Sequence, residues 1–270
     1  MSLLRRSFGL LLMVACLVAG RANAAATTNF SDQWWIPEES GWGASVLQQW
    51  DTLFIDLFVY GTDGKPTWFV AAATLQPITS SHVVFSGDLY ATSGGANFGA
   101  PFNRATVSAR KVGTLTFDAN GPTSASLTYA VDGVQVVKSI TRQTWRAENL
   151  TGSYYGGIVS DRAGCNNPAN NGHSETPANF QISHLADNSI AILAQIGAVS
   201  CTITGTYTQS GHMGEIDNGR GPCDDAGRGV SFIVFEIEQS IAGFTARFAS
   251  VGDVGGDQCH TVARIGGVRR

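Results

Sequence analysis

The chain has 270 residues, of which 14% are charged, with 17 Lys and Arg against 21 Asp and Glu and a formal net charge of −4. Apart from paired arginines near either end no basic run occurs, which excludes a nucleic-acid or anionic-membrane surface as the working face.

Residues 1–24 read as a secretory signal peptide: Arg5 and Arg6, an apolar run from Phe8 to Ala19, then the small residues Ala22-Asn23-Ala24. Gly20 and Arg21 end the apolar run short of the roughly 20 residues that a spanning helix needs, so no transmembrane helix is expected. The mature protein is then exported, periplasmic or extracellular. A rival reading takes Met13-Val14-Ala15-Cys16 as a lipobox, with Cys16 as the lipid-bearing first residue. Loss of Arg5, Arg6 and Arg21 with the leader moves the net charge to about −7.

All six tryptophans (Trp34, Trp35, Trp42, Trp50, Trp68, Trp145) precede residue 146, whereas Cys165, Cys201, Cys223 and Cys259 all follow residue 150. This segregation predicts two domains, a Trp-rich one over 29–146 and a disulfide-containing one over 150–268, each near the commonest domain size.

Turn residues recur at short intervals, as in Asp63-Gly64-Lys65-Pro66 and Asp132-Gly133, and no segment keeps a 3.6-residue apolar period. In the first half strands are predicted near 43–50, 53–60, 66–75, 82–91, 105–111, 113–118, 124–131 and 134–144. In the second they fall near 151–160, 179–185, 189–196, 200–208, 211–217, 229–238, 241–250 and 259–266. Alternation such as Ala125, Leu127, Tyr129 and Val131 against Ser126 and Thr128 marks strands covered on one side. In Leu53–Tyr60, Leu53, Ile55, Leu57 and Val59 share one face while Phe54, Phe58 and Tyr60 share the other. That strand is expected to be covered on both sides or to line a cavity with its aromatic face.

The fold class is therefore all-β: two consecutive eight-stranded antiparallel meander barrels of lipocalin- or avidin-like architecture, with β-sandwiches as the alternative. Closure removes unpaired edges, and eight strands leave an interior that side chains fill or one small ligand occupies. Four cysteines in an exported chain read as two disulfides. Hairpin order pairs Cys201 with Cys223, and closure of first strand on last pairs Cys165 with Cys259. No C-x-x-C spacing occurs, so no metal is assigned.

The most distinctive segment is Trp34-Trp35-Ile36-Pro37-Glu38-Glu39-Ser40-Gly41-Trp42-Gly43. Together with Phe58–Trp68 and the Gly94–Phe102 loop it resembles a module of uncharacterised exported proteobacterial proteins, over residues 29–145 only. That resemblance implies no established activity, and Trp50 departs from the small residue it implies at that hairpin. Physically, Trp34, Trp35 and Trp42 beside Glu39, with Tyr60 and Trp68, would form an aromatic platform with acceptors for a sugar or peptide. The competing reading makes Trp34, Trp35 and Trp42 a plug in the barrel end. Glu38 and Glu39, as neighbours in an extended segment, would face opposite ways and form no acid–base pair.

The histidines are scattered, no G-x-S-x-G elbow occurs, and no catalytic residue is assigned. Residues 161–178 read as a long polar loop anchored by Cys165, with calcium binding through Asp161 and Glu175 as a rival that lacks a calcium loop's spacing. Gly219–Asp225 lacks the lysine of a phosphate loop. Thr151-Gly152-Ser153-Tyr154 and Thr204-Gly205-Thr206-Tyr207 give the second half a T-G-x-Y rhythm similar to calycin-type barrels. The tryptophans that avidins place around their ligand are missing there, so biotin binding is not implied.

These readings favour a non-enzymatic exported binding module for a small amphipathic or saccharide ligand, without a cofactor. The alternatives are a structural or partner-binding cell-envelope protein and a hydrolase with a loop-assembled site.

Overall fold

In the computed structural model the described residues are 28–77, 82–96, 98–222, 229–254 and 257–270. The expected signal peptide and Cys16 lie outside them. The chain forms two closed eight-stranded antiparallel barrels, consecutive in sequence. The first contains β1 (Asp32–Trp35), β2 (Gly43–Gln49), β3 (Thr52–Tyr60), β4 (Pro66–Leu75), β5 (Val83–Ser93), β6 (Ser108–Ala119), β7 (Ser124–Val131) and β8 (Val134–Arg142). The second contains β9 (Gly152–Ala163), β10 (Gly172–His184), β11 (Ser189–Ile196), β12 (Val199–Ser210), β13 (Met213–Pro222), β14 (Gly229–Gln239), β15 (Gly243–Val254) and β16 (Asp257–Arg269). Among the described residues no helix is long and apolar enough to cross a membrane. In both barrels the buried apolar side chains point inward and form a core of their own.

Three expectations need correction. The two strands expected over 105–111 and 113–118 are one, β6, which starts only at Ser108 after a 3₁₀ turn over Arg104–Thr106 and whose Gly113 sits at a bulge opposite Leu89 and Tyr90. A Cβ on Gly113 would lie 2.1 Å from the Ala130 carbonyl oxygen, so this glycine serves a close backbone approach and not a turn. The missing eighth strand is Asp32–Trp35, too short and too close to Pro37 to show as a run. The polar stretch 161–178 is mostly strand: β9 continues to Ala163, β10 starts at Gly172, and the two pair from Arg162↔Gly172 to Gly152↔Ile182.

The first interior is filled by Trp34, Phe85, Phe117, Leu53, Ile55 and Leu57, all fully buried. Trp34 meets Phe117 edge-to-face at 5.0 Å and donates its indole N–H to the Phe30 carbonyl at 3.0 Å. The Arg142 guanidinium, from the last strand, lies 4.8 Å from the same ring. The second barrel repeats this device with different residues. Tyr154 on its first strand donates its hydroxyl to the Leu150 carbonyl at 2.7 Å, meets Phe244 edge-to-face, and carries Arg269 of its last strand 5.2 Å from the ring. In both, an aromatic plug four residues after its carbonyl partner shuts one barrel end, and an arginine from the closing strand lids it.

Closure of β9 on β16 brings Cys165 and Cys259 into a disulfide, with Cα atoms 4.2 Å apart, as the closing-strand order predicts. Cys201 is also disulfide-bonded. Its expected partner, Cys223, lies outside the described residues.

Candidate functional site

The second barrel encloses a cavity of about 590 Å³. Its floor lies above the Tyr154 plug and is made by Phe180, Phe244, Ile192, Ile216 and Phe232 from five different strands. These residues alternate with outward polar ones, which is why extended backbone aims them at one interior. Toward the far end, where β9 finishes and β10 starts, the lining changes to Ser160, Arg162, Ser174, Thr176, Ser250 and Thr261. This is the taller part of the wall, and its short side chains leave the space open. Partly exposed Arg162 and exposed Val199 show that this end reaches solvent.

The Ser160 and Ser174 hydroxyls are 2.9 Å apart across the β9–β10 pair. Arg162 is the one charged residue among the described residues lining the cavity, and no ion pair or hydrogen bond joins its side chain to another described residue. Its chain neighbour Asp161 points outward and is held 2.8 Å from His173 Nδ1, whose other nitrogen lies 3.4 Å from Glu175. The Asp161 and Glu175 hydrogen bonds and charges raise the His173 pKa. At the same end Asp257 accepts from the Asn167 N–H and the Asn170 side chain, which keep its pKa low.

The six residues singled out in the first half separate. Trp34 is fully buried in the core, so it belongs to no surface platform; Trp35, next in the same strand, points the other way and is half-buried. Pro37–Glu39 is a 3₁₀ turn and not extended. Glu39 accepts from Trp42 Nε1 at 2.8 Å and from Lys138 Nζ at 2.6 Å, with Lys138 also 5.3 Å from the Trp42 ring. The Lys138 hydrogen bond, then that of Trp42, lowers the Glu39 pKa. Trp42 itself packs half-buried on the core. Tyr60 and Trp68 are each 58% exposed on the outside of the wall, and Trp68 Nε1 donates to Thr92 at 3.1 Å. The outer face of β3, with Phe54, Phe58 and Tyr60, is thus exposed and not covered as expected.

Sequence reading missed Arg162, Ser174 and Thr176 because a polar inner face looks like loop, and Ser160 because it ends the expected strand 151–160 as an isolated polar residue. The signal was the parity: each continues the inward set begun by Ile158 on β9 or Ala178 on β10. Compared with protein-family models and with curated proteins, the chain matches none.

Proposed function

We propose that this protein is a binding module that holds one small amphipathic molecule inside its second barrel. The observation that carries this reading is the cavity of about 590 Å³, apolar at its floor and polar at its open end. That size falls in the usual range of roughly 300–1,000 Å³ for small-molecule sites. A sugar would leave its hydroxyls unpaired against Phe180, Phe232 and Phe244, at a cost of about 1–3 kcal/mol for each buried polar group without a partner. The apolar floor therefore favours the amphipathic ligand over the saccharide. The Cys165–Cys259 disulfide supports an oxidising, exported setting.

Tryptophan fluorescence reports chiefly the first barrel, since all six tryptophans precede residue 146. The test is therefore titration with Nile red, an uncharged dye whose emission shifts to the blue in apolar surroundings. One-to-one binding with a blue shift is expected, and Ala246→Trp, which fills the space beside Phe180 and Phe244, should remove it while Cys165–Cys259 still forms. Unshifted emission with the native protein would refute the reading.

A further inference from the structure

We infer that the ligand of the second barrel is an anionic amphiphile whose headgroup pairs with Arg162, its chain lying against the phenylalanine floor. This rests on the reading of that barrel as a small-molecule binder and adds the charge of the occupant. Three observations meet here. The guanidinium lines a cavity otherwise built from uncharged side chains, and it has no ion-pair or hydrogen-bond partner among the described residues. The arginines that lid the two plugs are placed differently: Arg142 bonds Asp32 and three backbone carbonyls, and Arg269 bonds the Tyr154 hydroxyl. Two acidic groups at this end of the barrel are engaged elsewhere, Asp161 with His173 and Asp257 with Asn167 and Asn170.

The neighbouring groups suit an oxyanion. Arginine presents a planar fork of N–H donors that matches a carboxylate or phosphate, and such charge-assisted bonds are roughly twice as strong as neutral ones. Ser160, Ser174, Thr176 and Thr261 add hydroxyl donors around the same opening. A cationic headgroup would meet Arg162 with like charge, and a neutral one would leave the guanidinium desolvated without a partner. The position of Arg162 at the end of β9, beside the disulfide that ties β9 to β16, fixes it on strand and not on loop.

The experiment is displacement of Nile red from the full mature chain by dodecanoate, dodecanol and dodecyltrimethylammonium, at low and high salt. Dodecanoate is expected to bind about tenfold more tightly than dodecanol, the scale of one hydrogen-bonded charge. The ammonium should bind weakest, and salt should narrow the gap. Arg162→Gln should erase the preference for the anion while retaining dodecanol and dye, and Arg162→Lys should restore part of it. Equal affinity for the three headgroups, or a preference that survives Arg162→Gln, would overturn the inference and leave the binding reading standing. Failure of all three compounds and the dye to bind would overturn both. Dodecyl phosphate in place of dodecanoate distinguishes a carboxylate from a phosphate headgroup.

Discussion

Trp50 shows what a single residue concedes to a barrel. It lies at the hairpin between β2 and β3 with φ of 55° and 86% of its surface exposed, so it has left-handed backbone and little packing in return. For a bulky L-residue that conformation costs roughly 1–2 kcal/mol, whereas asparagine adopts it readily. Trp50→Asn should therefore raise stability by about 1 kcal/mol, read as a higher denaturant midpoint at unchanged slope, and a fall would show that the ring holds the hairpin. The sequence marks Trp50 as an odd residue but not its φ, which is imposed by the β2–β3 register. Trp34 and Trp35 differ in the same way. Alternation says that they face opposite sides, and only closure of β1 on β8 decides that Trp34 is the one inside.

At the scale of elements, strand existence was legible wherever apolar and polar residues alternate, as in β3, β7, β11 and β12. It failed where the inward set is polar. On β9 and β10 the residues above Ile158 and Ala178 are serine, threonine and arginine, so the part of the wall that carries the candidate site carried no apolar signal. Irregular strands were also hard to read. β13 shifts register twice against β14, and on it Glu215 and Asp217 share a face two residues apart. Burial, the hydrogen bond between them and repulsion by Asp217 push the Glu215 pKa up to about 7. Because the folded pKa exceeds the unfolded one, the associated stability is present below about pH 4.5 and is lost as pH rises through 7. Glu215→Gln should leave stability unchanged at pH 4 and increase it at pH 8. Solvent reaches the pair, so the gain should stay under about 1 kcal/mol. Chemical denaturation at the two pH values checks this, and an equal effect at both would show that the carboxylate pair is not its source.

At the scale of the whole molecule, a carboxylate of the first barrel reaches the second. Asp32 on β1 accepts from Arg142 of β8 at 3.1 Å and from both the backbone N–H and Nδ1 of His212, at 3.0 and 2.8 Å, in the β12–β13 hairpin of the second barrel. Gly211 makes room for it, and Gln209 bonds the Arg146 carbonyl and the Glu148 N–H on the connecting segment. The Arg142 side chain is fully buried, so Asp32 is the countercharge that allows the lid over Trp34 to stay charged. Burial raises the Asp32 pKa, but the hydrogen bonds and charge of His212 outweigh it and hold the group below its ordinary 3.8. A depressed folded pKa means that this stability is present above about pH 4 and is lost as pH falls through the folded value. Asp32→Asn leaves Arg142 buried without its partner, at a cost of about 3–5 kcal/mol. Because the tryptophans and the cavity proposed to take the dye lie in different halves of the chain, the two can be followed in one melt. In Asp32→Asn the tryptophan transition should fall by roughly 10 °C, move apart from the loss of bound dye, and weaken less than the native one between pH 5 and 3. Coincident, unshifted transitions would mean that the barrels are joined by the backbone alone.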